Sequence, residues 1–178
     1  ILRVKFHLGL FEDPYKYSDS QREQEVLLAE AHLEAARDIA RKSIVLLKNE
    51  NSVLPLSKAL ESIAVIGPLA DDKDSPLGNW RAQADKNSAV SVLEGIQNAV
   101  GDEVQINYAK GADLGMGERS FLMPLEINEA NTSGFAEAIE AAKKSEVVVM
   151  VLGEDAFQTG EGRSQTGIQL RGAQQDLL

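Results

Sequence analysis

The carboxylates best placed to do chemistry stand close together near the end of this chain. Glu154 and Asp155 follow the apolar run Val147-Val148-Val149-Met150-Val151-Leu152, and Glu161 sits between Gly160 and Gly162. Glycines on both sides let the backbone bend sharply and hold a side chain outward. A carboxylic acid presented in this way could protonate a leaving-group oxygen if a partly dry cleft raised its pKa. The plainer alternative is a solvated loop glutamate. Glu154 and Asp155 are too few for a cation site, and capping the next turn is the simpler role for them. Asp71-Asp72-Lys73-Asp74 lacks the glycine and terminal glutamate of a calcium loop and reads as a solvated turn. His7 and His32 have no metal-ligand spacing. Gly111, Gly115 and Gly117 miss the dinucleotide fingerprint, and no phosphate loop with Lys-Ser/Thr occurs. No cofactor and no metal is expected. Trp80, the one tryptophan, suits either stacking on a sugar or packing in a core.

These groups need a frame. Residues 146–152 read as a strand buried on both faces, as in a parallel sheet. Open α/β sheets bind ligands beyond the carboxyl ends of their strands, which is where Glu161 falls. A second strand is expected at 62–68, ended by Gly67-Pro68, and a third at 103–109, where Val104, Ile106 and Tyr108 alternate. Apolar residues at three and four predict a helix over 20–42, through Val26, Ala29, Leu33, Ala36 and Ala40. Further helices are expected over 89–99, capped by Ser88, and over 134–144. Residues 43–49 read as a strand or as the helix running on, 110–131 as a long loop, and 11–19 as a turn-rich linker. Residues 1–9 are mixed between helix and extended chain. Strand–helix alternation of this kind argues for an α/β class: a doubly wound, mostly parallel sheet.

Composition sets limits. The 178 residues suffice for one core, or for one domain with an appendage. A net charge of −10 repels phosphate backbones and argues against nucleic acid as the main partner. Apolar runs reach about eight residues, too short to span a bilayer, so no membrane partner is expected. Cysteine is absent, which excludes disulfides, thiolate metal sites and a cysteine nucleophile. The chain opens Ile1-Leu2-Arg3 and stops at Gln174-Gln175-Asp176-Leu177-Leu178 as a helix gets under way, so a piece of a longer protein is expected.

Several blocks, in order, carry a family resemblance. They are Val4-Lys5-Phe6-His7-Leu8-Gly9-Leu10-Phe11-Glu12-Asp13-Pro14-Tyr15, the stretch Ala36 to Asn49, and Leu54-Pro55-Leu56. Ile63-Ala64-Val65-Ile66-Gly67-Pro68, Leu77-Gly78-Asn79-Trp80, Ser91-Val92-Leu93-Glu94-Gly95-Ile96 and Tyr108-Ala109-Lys110-Gly111 follow. Together they resemble a family 3 glycoside hydrolase of the β-glucosidase group over nearly the whole chain. The resemblance implies residues 1–19 as the end of a TIM-type barrel domain and its linker. Residues 20–178 would then be an α/β sandwich domain, flavodoxin-like and C-terminally incomplete. It implies retaining hydrolysis of terminal β-D-glucosyl residues from β-glucosides or oligosaccharides, with a nucleophilic aspartate on the barrel and absent from this chain. The acid/base would be Glu161 in Thr159-Gly160-Glu161-Gly162, with Glu154 the alternative because this loop varies in length. The isolated chain is then expected to be inactive. A periplasmic or secreted parent follows from the resemblance alone. A non-catalytic binding or scaffold module is the competing class. Where the family commonly reads Ser-Arg-Thr/Ser-Asp and then Leu-Pro-Gly, this chain has Ser164-Gln165-Thr166-Gly167 and Leu170-Arg171-Gly172. Losing both an arginine and an aspartate avoids an unpaired charge but takes a brace from the loop, and Arg171 for proline loosens the approach to the last helix.

Overall fold

The computed structural model describes all 178 residues, which separate into two compact units, Ile1–Pro55 and Leu56–Leu178. No helix is long and apolar enough to cross a membrane. The first unit holds α1 (Leu2–His7), α2 (Ser20–Val26) and α3 (Glu30–Ser43). Asp19 starts α2 by accepting the amides of Gln21 and Arg22 at 3.1 and 3.0 Å, two donors that the first turn otherwise leaves free. The single helix expected over 20–42 is broken. Leu28 takes a left-handed φ of 56°, a conformation that costs a residue with a Cβ about 1–2 kcal/mol and cannot continue a right-handed helix. Residues 44–49 form no strand, and Ile44 to Leu47 are exposed. Their β-branched and apolar character suits a pleated surface, but no strand pairs with them.

The second unit carries β1 (Ser62–Ile66), α4 (Val92–Val100), β2 (Gln105–Ala109), β3 (Gly115–Met116), β4 (Glu126–Ile127), α5 (Phe135–Lys143), β5 (Val147–Met150) and α6 (Gln174–Leu177). Its main sheet has the order β2-β1-β5, with both pairings parallel. In register, Val65 lies between Tyr108 and Val149. All five residues of β1 are buried. Because successive strand side chains point to opposite faces, Ile63 and Val65 pack with Leu93, Val104 and Ala70, while Ala64 and Ile66 pack with Ala109, Ala138 and Ala141. Helix α4 therefore covers one face and α5 the other. Full burial of a residue such as Val65 is worth about 1.5–3 kcal/mol.

Three expectations need correcting here. The 146–152 segment does form a strand, but β5 is an edge strand and is only partly covered, with Val148 exposed. The strand buried on both faces is β1. Ser91, not Ser88, caps α4, its Oγ accepting the Glu94 amide at 3.1 Å. Within the 110–131 loop, β3 and β4 pair antiparallel, Gly115 opposite Ile127.

Candidate active site

The candidate acid lies on the segment that leaves β5. Val151 N–H donates to Ile66 C=O at 2.7 Å, so parallel pairing runs one residue past the strand. The chain then turns out at Gly153, and the loop returns at Arg171 to begin α6. Gln174, 1% exposed, closes its base. The Gln174 amide accepts the Gly153 N–H at 2.9 Å and donates to Gly153 C=O at 2.9 Å and Arg171 C=O at 3.0 Å. One buried side chain thus pairs with both backbone polar groups of Gly153 and ties the two ends of the loop together.

Asp155 is next, fully buried, and does what the sequence suggested for this pair. It caps the 3-10 turn Ala156–Gln158, accepting the Phe157 N–H at 2.7 Å, while the Gln158 side chain accepts the Asp155 N–H at 2.7 Å. This reciprocal arrangement is a capping box. The other Asp155 oxygen, Oδ2, lies 2.8 Å from Arg119 Nη2, off hydrogen-bond alignment, so the contact is an ion pair. Arg119 also stands 3.5 Å from Asp72 Oδ2.

Asp72 was expected in a solvated turn and is not. Its side chain is 8% exposed, and it accepts the Asp74 N–H, the Ser75 N–H and the Ser75 hydroxyl at 2.8, 2.9 and 2.6 Å. Burial pushes its carboxyl up. The Ser75 hydroxyl, the two amides and the Arg119 charge outweigh that and hold it below the usual carboxylate range. Arg81 completes this wall, donating to Asp74 C=O at 2.6 Å and Asp74 Oδ2 at 2.7 Å. Its guanidinium lies 4.9 Å from the Phe157 ring centroid. The Asn79 side chain donates to Thr159 C=O.

Glu161 stands at the outer turn of this braced loop and is exposed. Gly160 and Gly162 have φ of 104° and 71°, values that residues with a Cβ rarely adopt. A Cβ at Gly160 would also run into the Asn79 amide. Two residues on, Arg163 turns back, its Nε donating to Phe157 C=O at 3.1 Å. Its Nη2 donates to Phe121 C=O and Met123 C=O, both at 2.9 Å. Glu154, the alternative, is also exposed and accepts from Gln165 Nε2 at 2.6 Å. Gln165, where an arginine was expected, thus still meets a carboxylate. Trp80 is not in the core. It is 65% exposed, with its ring edge-on to Phe121 at 5.6 Å between centroids.

No three His, Cys, Asp or Glu residues gather into a metal-holding group. His7 and His32 both lie in the first unit, where His32 Nδ1 meets Val26 C=O at 3.1 Å. Arg119, Arg163 and Gln174 were missed from sequence. The Asp155–Gln158 spacing was a readable capping-box signal; nothing local announces the other three.

A parallel sheet covered by helices on both faces, with a braced, carboxylate-bearing loop beyond its strand ends, defines an α/β sandwich. Residues 44–178 match the family model described as the glycosyl hydrolase family 3 C-terminal domain, and the chain belongs to that family. It is 41% identical over 189 residues to a periplasmic beta-glucosidase of Salmonella typhimurium, covering 100% of this chain and 24% of that protein. It is 37% identical over 183 residues to a beta-xylosidase of Formosa agariphila, covering 100% of this chain and 23% of that one. Among solved structures, a beta-glucosidase involved in saponin metabolism from intestinal bacteria superposes with a TM-score of 0.80 at 28% identity, over 99% of this chain and 26% of its own. A Listeria innocua beta-glucosidase in complex with glucose gives 0.73 at 31% identity, over 99% and 21%. The chain spans about a quarter of the length of these two curated relatives.

Proposed function

We propose that this chain supplies the general acid/base of a retaining β-glycosidase, with Glu161 as that group. Residues 1–19 would end a TIM-type barrel domain and its linker, and residues 20–178 carry the sandwich domain. The family match from residue 44 onward supports the second assignment. The nucleophilic aspartate would lie on the barrel, outside this sequence. The observation that carries the reading is the setting of Glu161: an exposed carboxyl between two left-handed glycines, on a loop whose base and flanks are fixed by buried polar anchors.

In such a reaction the Glu161 carboxylic acid gives its proton to the glycosidic oxygen as the C–O bond breaks and the aspartate bonds to the anomeric carbon. The resulting Glu161 carboxylate then takes a proton from the water that displaces the aspartate. Retaining chemistry needs the two carboxyl groups about 5–5.5 Å apart. Glu154 suits the role less well, because Gln165 already engages it. The substrate would carry a terminal β-D-glucosyl residue; the Salmonella relative supports glucose and the Formosa relative supports xylose as the alternative. Export to the periplasm or beyond rests on the first of these relatives.

The test uses the full-length glycosidase that contains this sequence. Glu161→Gln should spare aryl glycosides with strongly acidic leaving groups and slow those with poor ones by about 10²–10⁴-fold. Equal loss on both classes would move the acid elsewhere. The 178-residue chain alone should not turn over either class.

A further inference from the structure

We infer that Arg163 is a positioning residue for the acid/base: its guanidinium fixes the turn bearing Glu161 against the loop between β3 and β4. This rests on the assignment of Glu161 proposed above. Three observations carry it. The guanidinium donates to three backbone carbonyls and to no carboxylate: Phe157 within its own loop, and Phe121 and Met123 across the gap. Two different nitrogens of one planar group serve the two segments, Nε the Phe157 carbonyl and Nη2 the Phe121 and Met123 carbonyls, a spread that a single ammonium nitrogen does not reproduce. Glu161 itself has glycines on both sides, both at positive φ, so its own backbone offers the least resistance to movement in the loop.

The far end of the bridge matters as well. Phe121 is the residue whose ring meets Trp80 edge-on, so Arg163 links the turn carrying the carboxyl to the exposed aromatic pair through one backbone carbonyl. It also replaces the brace that the sequence alone suggested was lost at Gln165. Position 163, rather than 165, carries the cation that ties this loop to its neighbour. A loosened turn leaves the acid chemically intact but poorly aimed, and misplacement by about 1 Å can cost about 10²-fold in rate.

The experiment compares Arg163→Ala with the parent and with E161Q in the full-length glycosidase. It measures kcat/KM on a series of aryl β-glycosides of graded leaving-group acidity. R163A should lose about 10–100-fold on poor leaving groups and under about threefold on the most activated one. Adding R163A to E161Q should cost under about threefold on every member of the series, because residues acting through one group are not additive. A merely structural role lowers all members alike and adds fully to E161Q; either result overturns the inference. E161Q indifferent to leaving group overturns the acid assignment, and with it this inference. R163A alone flat across the series, with E161Q steep, overturns only the role of Arg163. Should R163A fail to fold, Arg163→Lys, which keeps the charge and loses the fork, is read by the same slope.

Discussion

Replacing Arg119 by methionine should be among the most damaging single changes to the second unit, although Arg119 sits on a loop and is partly exposed. Its Nη2 is 2.8 Å from Asp155 Oδ2 and 3.5 Å from Asp72 Oδ2. With an effective dielectric of about 20, those separations correspond to attractions of about 6 and about 5 kcal/mol before desolvation is subtracted. Asp155 is fully buried and Asp72 nearly so, while the Arg119 side chain is 41% exposed. Removing one partner of a buried pair costs about 3–5 kcal/mol. Screening at the arginine end lowers the expected loss to about 2–3 kcal/mol. Met keeps the length of the side chain, so the loss reports charge more than packing. Urea unfolding of the 178-residue chain measures it, and the Asp155→Asn/Arg119→Met cycle isolates the pair, with an expected coupling of about 1–2 kcal/mol.

The sign with pH is fixed by Asp72. Its folded carboxyl titrates below the ordinary value, so its contribution to stability is present above the unfolded pKa and is lost as pH falls through the folded one. Arg119 is one cause of that depression. R119M should move Asp72 back toward its ordinary value, and this part of the penalty should shrink as the pH is lowered from about 7 to below about 4. A penalty under about 0.5 kcal/mol at neutral pH would refute the argument. So would a penalty that grows on acidification.

Two other changes follow from the same loop. Gln174→Ala removes three hydrogen bonds around Gly153 and Arg171 and leaves a buried void; a loss of about 2–4 kcal/mol in urea unfolding is expected, and under about 1 kcal/mol would mean that the amide does not close the loop. Gln165→Arg restores a cation opposite the exposed Glu154 carboxylate and should gain no more than about 0.3–1 kcal/mol. A gain well above that would show that Glu154 is less solvated than its exposure implies.

What could be read from sequence follows from how local the cause is. β1 was legible because an unbroken apolar run ended at Gly67-Pro68, and α5 because its apolar residues recur at helical spacing. The cap at Asp155 was legible for the same reason, since its partners are two and three residues away. The break at Leu28 was not, because a left-handed leucine carries no glycine to announce it. The apolar run Val147–Met150 announces a strand but not how much of it these 178 residues cover, and β5 is only partly buried. Arg119, Arg163 and Gln174 were invisible because their partners come together only through the fold. The two glycines around Glu161 were visible; the braces that give the turn its place were not.

The central claim is that Glu161 donates and then accepts the proton. The most direct measurement is azide rescue of Glu161→Ala in the full-length glycosidase, acting on an activated aryl β-glycoside. With the acid/base gone, the covalent intermediate accumulates, and azide needs no proton removed in order to displace the aspartate. The account predicts that azide raises turnover and yields the β-glycosyl azide, with retained configuration. No rescue, or the α-azide, would contradict it.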